Sequence, residues 1–274
     1  MNDMLLVLLA GQSNMAGRGT AEPDDLKNIP GLFRFTGDFR WLPAIEPIHR
    51  DRPFVGTFDQ AGNRISSPDP WDNIPVGNGG EVRGVGPGRT FGRLLLEANP
   101  GRRVGLIPAA VGGTPLASWK RGGEDIWVPG EYPYNRAVSL AKAAMKHGRI
   151  VAVLWHQGET DAQQNNLNYK NDLREVIRNF RDDLKLGVEV PFLLGELGSF
   201  YGEEILAHVP RINQAMHELA SELPSVRIVR TKDLTCCEDS LHFDTTSARE
   251  LGRRYFTEFA HFIHPAAVPQ ELQP

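Results

Sequence analysis

Five short apolar runs punctuate the chain, at 4–10 (MLLVLLA), 104–110 (VGLIPAA), 150–155 (IVAVLW), 190–194 (VPFLL) and 226–229 (VRIV). Apart from Arg227 each is free of charged and polar residues, and glycine or a polar residue follows within two positions. That pattern predicts strands buried in a parallel sheet rather than strands with one wet face. The stretches between them have helical period. Phe91, Leu94, Leu95 and Ala98 share one face, and 134–145 is rich in alanine and leucine. Leu173, Val176, Ile177, Phe180 and Leu184 recur at helical spacing within 168–186, and 212–223 and 247–263 complete the set. Strands alternating with helices predict right-handed βαβ units and a doubly wound α/β/α sandwich of three layers. The expected organisation is a single domain over 1–274. The pattern alone leaves the strand order open.

The interval 51–88 breaks the alternation. It is dense in Pro, Gly, Asp and Asn and has no sustained period, as expected of a long loop insertion. Its aromatics Phe54, Phe58 and Trp71 favour an ordered excursion over one end of the sheet, with a mobile linker as the alternative.

Composition narrows the functional classes. The 274 residues are 41% hydrophobic and 23% charged, enough to bury a sizeable core. A formal net charge of −4 argues against a nucleic-acid partner, which needs clustered basic surface. No apolar run approaches the length of a membrane span. The run at 4–10 follows Asp3 and stops at Gly11, so it reads as a strand and not as a secretory signal, and the expected compartment is the cytoplasm. The two cysteines, Cys236 and Cys237, are adjacent and cannot staple distant segments.

Chemistry in such sheets collects at the carboxyl ends of the strands. The first run is followed by Gly11-Gln12-Ser13-Asn14-Met15-Ala16-Gly17, which can present the Ser13 hydroxyl on a tight turn as a nucleophile or leave it as a helix cap. The second is followed by Val111-Gly112-Gly113-Thr114, where a glycine N–H can point into a cleft or the pair can simply make a turn. After the third comes Trp155-His156-Gln157-Gly158-Glu159-Thr160-Asp161. Gln157 can supply an N–H donor, while Glu159 and Asp161 are either substrate contacts or, preferably, loop braces. Beyond the fifth run, Asp239 and His242 stand three residues apart. One turn can bring the carboxylate to Nδ1 and leave Nε2 to take a proton from a serine. Glu238 and Asp244 are the neighbouring acids with which Asp239 could be confused. There is no G-x-S-x-G elbow, no H-E-x-x-H, no C-x-x-C and no phosphate-binding glycine fingerprint.

The ordered set GQSNMAG, VGGT, WHQGETD and DSLHFD resembles the SGNH (GDSL-like) hydrolases, in the branch of acetylxylan esterases and sialate O-acetylesterases, over residues 5–262. The resemblance implies a flavodoxin-like sandwich with five parallel strands in the order 2-1-3-4-5. It implies a serine esterase acting on O-acetylated carbohydrates through an acyl-enzyme, with no metal or cofactor. Ser13 matches the nucleophile, His242 the base and Asp239 the acid. Ser13 and Gly113 match the N–H donors of the oxyanion hole, and Gln157 stands where many relatives have the asparagine of a GxND motif, which this chain lacks. Gln12, Trp119 and Glu159 are the candidate substrate contacts: Trp119 because an aromatic face suits a sugar ring, with a core tryptophan as the equal alternative, and Glu159 with the loop brace as the preferred reading. Other short-chain acyl esters remain an alternative substrate class, and a carbohydrate-binding protein without turnover remains an alternative to an enzyme.

Overall fold

A computed structural model describes residues 4–49, 57–58, 64–65 and 82–264. In chain order the strands are β1 (Met4–Gly11), β2 (Gly19–Thr20), β3 (Leu32–Phe35), β4 (Trp41–Pro43), β5 (Thr57–Phe58), β6 (Arg64–Ile65), β7 (Arg83–Val85), β8 (Arg103–Pro108), β9 (Gly148–His156), β10 (Phe192–Gly195) and β11 (Val226–Val229). The helices are α1 (Ser13–Ala16), α2 (Pro87–Glu97), α3 (Pro133–Ala144), α4 (Glu159–Gln163), α5 (Tyr169–Leu184), α6 (Glu203–Leu206), α7 (Val209–Glu222) and α8 (Thr245–Ile263).

The central sheet runs β11-β10-β9-β1-β8-β3-β4. Its five apolar-run strands are parallel and take the order β8-β1-β9-β10-β11, which is 2-1-3-4-5 counted along the chain. The sheet is nonetheless wider than expected. β3 adds parallel to β8, and β4 closes the edge antiparallel to β3. Both are short, and β4 is half exposed, so neither carries a long apolar signal.

Alternate residues of β1 feed two cores. Leu6, Leu8 and Ala10 pack with Ala137, Val176, Phe180, Ile212 and Met216 from α3, α5 and α7. Leu5, Val7 and Leu9 pack with Phe91, Leu95, Leu251 and Tyr255 from α2 and α8. This two-sided burial is why the strand reads as a continuous apolar run.

The expected insertion at 51–88 ends too late. β7 pairs with β2 antiparallel, and α2 starts at Pro87, a residue whose fixed φ and missing N–H suit the first helical position. Read from composition, the same proline and glycines looked like loop. Within the insertion, β5 pairs with β6, while 50–56, 59–63 and 66–81, with Phe54 and Trp71, lie outside the described residues. Among the described residues no helix is long and apolar enough to cross a membrane.

Candidate active site

The carboxyl end of β1 is where the candidate residues gather. Gly11 takes φ +120°, and a Cβ there would sit 2.1 Å from the His156 carbonyl oxygen, so the close approach of β1 to β9 requires glycine. The Gln12 N–H then donates to that carbonyl at 2.8 Å, and the chain turns at once into α1. Gln12 is the N-cap and Ser13 the first helical residue, so the serine is not the cap its residue type allowed. The residue is 6% exposed.

Ser13 Oγ lies 2.9 Å from His242 Nε2, across 229 residues of sequence. His242 Nδ1 lies 2.7 Å from Asp239 Oδ2. The other Asp239 oxygen accepts the backbone N–H groups of Leu241 and His242, each at 2.9 Å. The carboxylate therefore shapes its own turn while it faces the imidazole, a role short acidic side chains fill well. Ser240, in the middle of the turn, takes φ +51°, and the Cys237 N–H donates to the His242 carbonyl at 2.7 Å to close the loop. Burial pushes the Asp239 carboxyl up, but the His242 ring and the two backbone donors outweigh it and hold the group below its ordinary range.

Glu238 takes no part in these contacts, and Asp244 has other partners. Asp244 caps α8 by accepting the Ser247 N–H at 2.8 Å and also accepts the Thr235 hydroxyl. This geometry puts a hydroxyl against an imidazole whose other nitrogen faces a carboxylate, a set that could serve acyl transfer.

Gly113 lies on the segment that crosses the end of β1. Before it, the Val111 N–H donates to the Gly11 carbonyl at 2.9 Å. After it, the Thr114 carbonyl accepts from Gln157 Nε2 at 3.1 Å. Gly113 itself takes φ +70°.

Four expected site residues turn out to be interior braces. Gln157 is fully buried, and its amide nitrogen donates to Asp161 Oδ2 at 2.5 Å and to Thr114, which leaves neither N–H for an oxyanion. Trp119 is also fully buried, packs edge-on against Trp155 and donates its indole N–H to Thr114 Oγ1 at 2.9 Å, which makes it core and not a pocket wall. Gln12 Oε1 accepts the Gly158 N–H at 3.3 Å from beneath the loop. Glu159 is buried and accepts Asn14 Nδ2 at 2.5 Å and the Tyr201 hydroxyl at 3.3 Å. The polar run after this buried strand turns most of its groups inward, although His156 Nε2, Gln157 Oε1 and Glu159 Oε2 are buried without a hydrogen-bond partner, and residue type alone could not separate that outcome from substrate contact.

Burial raises Glu159 to about 7 against the hydrogen bonds from Asn14 and Tyr201, and it raises Asp161 against those from Asn166 and Gln157. Burial also depresses His156 to about 3, so that ring is neutral, with Nε2 3.7 Å from Glu159.

Sequence reasoning missed Asn14. Besides binding Glu159, its amide donates to the Leu241 carbonyl at 3.2 Å and accepts the Phe243 N–H at 3.0 Å. Its place immediately after Ser13 was the available signal. Among the described residues no group of three His, Cys, Asp or Glu side chains could hold a metal ion.

A mostly parallel sandwich in 2-1-3-4-5 order with serine, histidine and aspartate aligned at the end of its first strand defines an esterase-like α/β protein. The chain matches the model of the carbohydrate esterase, sialic acid-specific acetylesterase family over residues 3–261 and belongs to that family, whose members are carboxylic ester hydrolases. It is 30% identical over 267 residues to a probable carbohydrate esterase of Arabidopsis thaliana, covering 90% of this chain and 86% of the relative. An X-ray structure of an Arabidopsis thaliana protein superposes with a TM-score of 0.71 at 26% identity, covering 94% of this chain and 98% of that one. NanS superposes with a TM-score of 0.66 at 16% identity, covering 97% and 99%. A carbohydrate acetylesterase from Xanthomonas citri gives 0.63 at 17%, covering 96% of this chain and 57% of that one. At these identities the last two show the shared fold.

Proposed function

We propose that the protein removes acetyl groups from O-acetylated carbohydrates by two-step acyl transfer. His242 Nε2 accepts the Ser13 proton as Oγ attacks the ester carbonyl. Asp239 holds the imidazole in the tautomer that leaves Nε2 free, and its charge stabilises the imidazolium that forms. The N–H groups of Ser13 and Gly113 receive the developing oxyanion. Each such donor is worth ~3 kcal/mol in the transition state. His242 returns the proton to the leaving sugar oxygen. Water, deprotonated by His242, then releases acetate from the acyl-serine.

The observation that carries this reading is the continuous contact from Ser13 Oγ through His242 to Asp239, at 2.9 and 2.7 Å. Family membership supports the acetyl and carbohydrate halves of the substrate. The test is acetate release across acetylated xylo-oligosaccharides, O-acetylated sialic acids and aryl acetates. The reading expects turnover of at least one acetylated sugar with kcat/KM above that for aryl acetate. Turnover confined to lipid or aryl esters would oppose it.

A further inference from the structure

Trp127 is 66% exposed, yet it is held in place. Its indole N–H donates to the Gly113 carbonyl at 3.1 Å, and its backbone N–H donates to Asp125 Oδ1 at 2.8 Å. Asp125 is buried, and its own N–H donates to the Glu131 carbonyl at 2.7 Å. Across the same loop the Gly130 N–H donates to Glu124 Oε1 at 2.6 Å. A Cβ on Gly113 would stand 2.9 Å from the Trp127 indole nitrogen, so the bare glycine backbone is what allows the ring to seat there. Ile126 and Tyr132, on the same loop, are 49% and 40% exposed. An anchored aromatic that keeps a large face in water, beside other exposed apolar groups, marks a binding surface.

Its position says what binds. Gly113 lies between Val111, tied to the end of β1, and Thr114, tied to Gln157 beyond β9. The Trp127 seat is therefore on the segment that passes over the turn carrying Ser13. Ser13 is nearly buried at the end of β1 beside His242, so the small acyl group is the part of the ester that has to reach it. The alcohol part of the ester is then left toward the exposed surface, where Trp127 sits on Gly113. An acetyl group offers little surface, so most of the affinity for the substrate has to come from that outer part.

We propose that the exposed face of Trp127 is the stacking platform for the pyranose ring that carries the acetyl ester. The electron-rich indole face attracts the weakly positive axial C–H groups of such a ring, and the contact excludes water from both. Preorganisation through Gly113 and Asp125 leaves little side-chain entropy to be lost on binding. The platform fits a cyclic sugar better than a flexible acyl or alkyl chain, and it takes the part that Trp119, buried in the core, does not play. This inference rests on the acetyl-carbohydrate reading above.

The experiment compares wild type, Trp127→Ala and Trp127→Phe on an acetylated methyl xylopyranoside and on ethyl acetate, which has no ring to stack. Expected is a fall of about tenfold in the ratio of kcat/KM for the pyranoside to that for ethyl acetate in Trp127→Ala, mostly through KM, with partial retention in Trp127→Phe. In a second measurement on the Ser13→Ala protein, the Trp127 indole N–H resonance, assigned by its loss in Trp127→Phe, should shift on titration with the intact pyranoside ester. An unchanged ratio, an equal loss on both esters or an unmoved resonance overturns the platform while leaving the proposed function standing. No acetate release from any acetylated pyranoside by wild type overturns both. A change in oligomeric state with the ratio intact assigns the patch to contact between copies and overturns the platform alone.

Discussion

Asn14 Oδ1 accepts the Phe243 N–H at 3.0 Å, so the residues next in sequence to Ser13 and His242 are bonded to one another. The same amide donates to the Leu241 carbonyl on the other side of His242 and to Glu159 beneath the helix. One buried side chain thus sets the distance between the candidate nucleophile and base, although it need not touch substrate. Asn14→Ala should lower kcat at least tenfold with a smaller change in KM. It should also cost about 1–3 kcal/mol in stability, because it strands the Phe243 N–H and leaves Glu159 Oε1 with only its longer bond from Tyr201. Steady-state kinetics and denaturant midpoints on the same preparation check both effects.

Gln157 tests brace against oxyanion donor. Its amide spans Thr114 and Asp161 in the interior, so Gln157→Ala should act first on stability, by about 1–3 kcal/mol. Its effect on kcat should stay well below the ~100–1000-fold expected for loss of an oxyanion donor. A two-hundredfold loss of kcat at unchanged melting temperature would return the residue to the oxyanion hole.

The three acids around His242 separate cleanly by partner. Asp239→Asn keeps an oxygen for the Leu241 and His242 N–H groups but removes the charge facing the imidazole, and kcat should fall at least ~100-fold with the fold intact. Glu238→Gln should be near neutral. Asp244→Ala should lose about 1 kcal/mol of stability, as a missing N-cap does, with kcat much less affected than in Asp239→Asn. Parallel kinetics and thermal melts of the three variants make the comparison.

Glu159 and His156 give stability a pH dependence of two opposing signs. Glu159 is raised from 4.5 to about 7, so between those values the folded protein keeps a proton the unfolded chain has lost, and stability falls as pH rises. His156 is depressed from 6.5 to about 3, so between those values the unfolded chain binds the extra proton, and stability rises with pH. The two slopes oppose one another from about pH 4.5 to 6.5. Glu159→Gln removes the first and exposes the second. Its stability relative to wild type should therefore climb by up to ~3 kcal/mol between pH 4.5 and 7, as read by denaturant titration at each pH.

The parts of the fold that were legible in the sequence are those buried on both faces. Leu5 to Leu9 serve two cores at once, so their apolarity is unbroken and the five parallel strands announce themselves. The edge pair β3 and β4 has no such run, and Pro87, which opens α2, is a residue that loops also favour. At the site, the meeting of Ser13, Asp239 and His242 was legible because each is a reactive type at the end of a strand or within one turn of a partner. Residue type does not reveal which way a side chain faces, so it offers Gln12 and Gln157 as site residues and leaves Glu159 and Trp119 between site and interior. Asn14 and Trp127 went unread for the converse reason. Asn14 meets Phe243 across 229 residues and Trp127 meets Gly113 across a loop of 14, contacts that exist only in the folded chain.

The central claim is that Ser13 is the nucleophile, and covalent trapping tests it most directly. Wild-type protein is treated with an organophosphonate ester, and the adduct is located by peptide mass spectrometry while residual acetate release is followed. The account predicts one adduct, on Ser13, formed in step with loss of activity. It also predicts no adduct in Ser13→Ala and a marked slowing in Asp239→Asn, whose imidazole is a poorer base. An adduct on another serine, or a folded Ser13→Ala protein that still releases acetate at more than a small fraction of the wild-type rate, would contradict it.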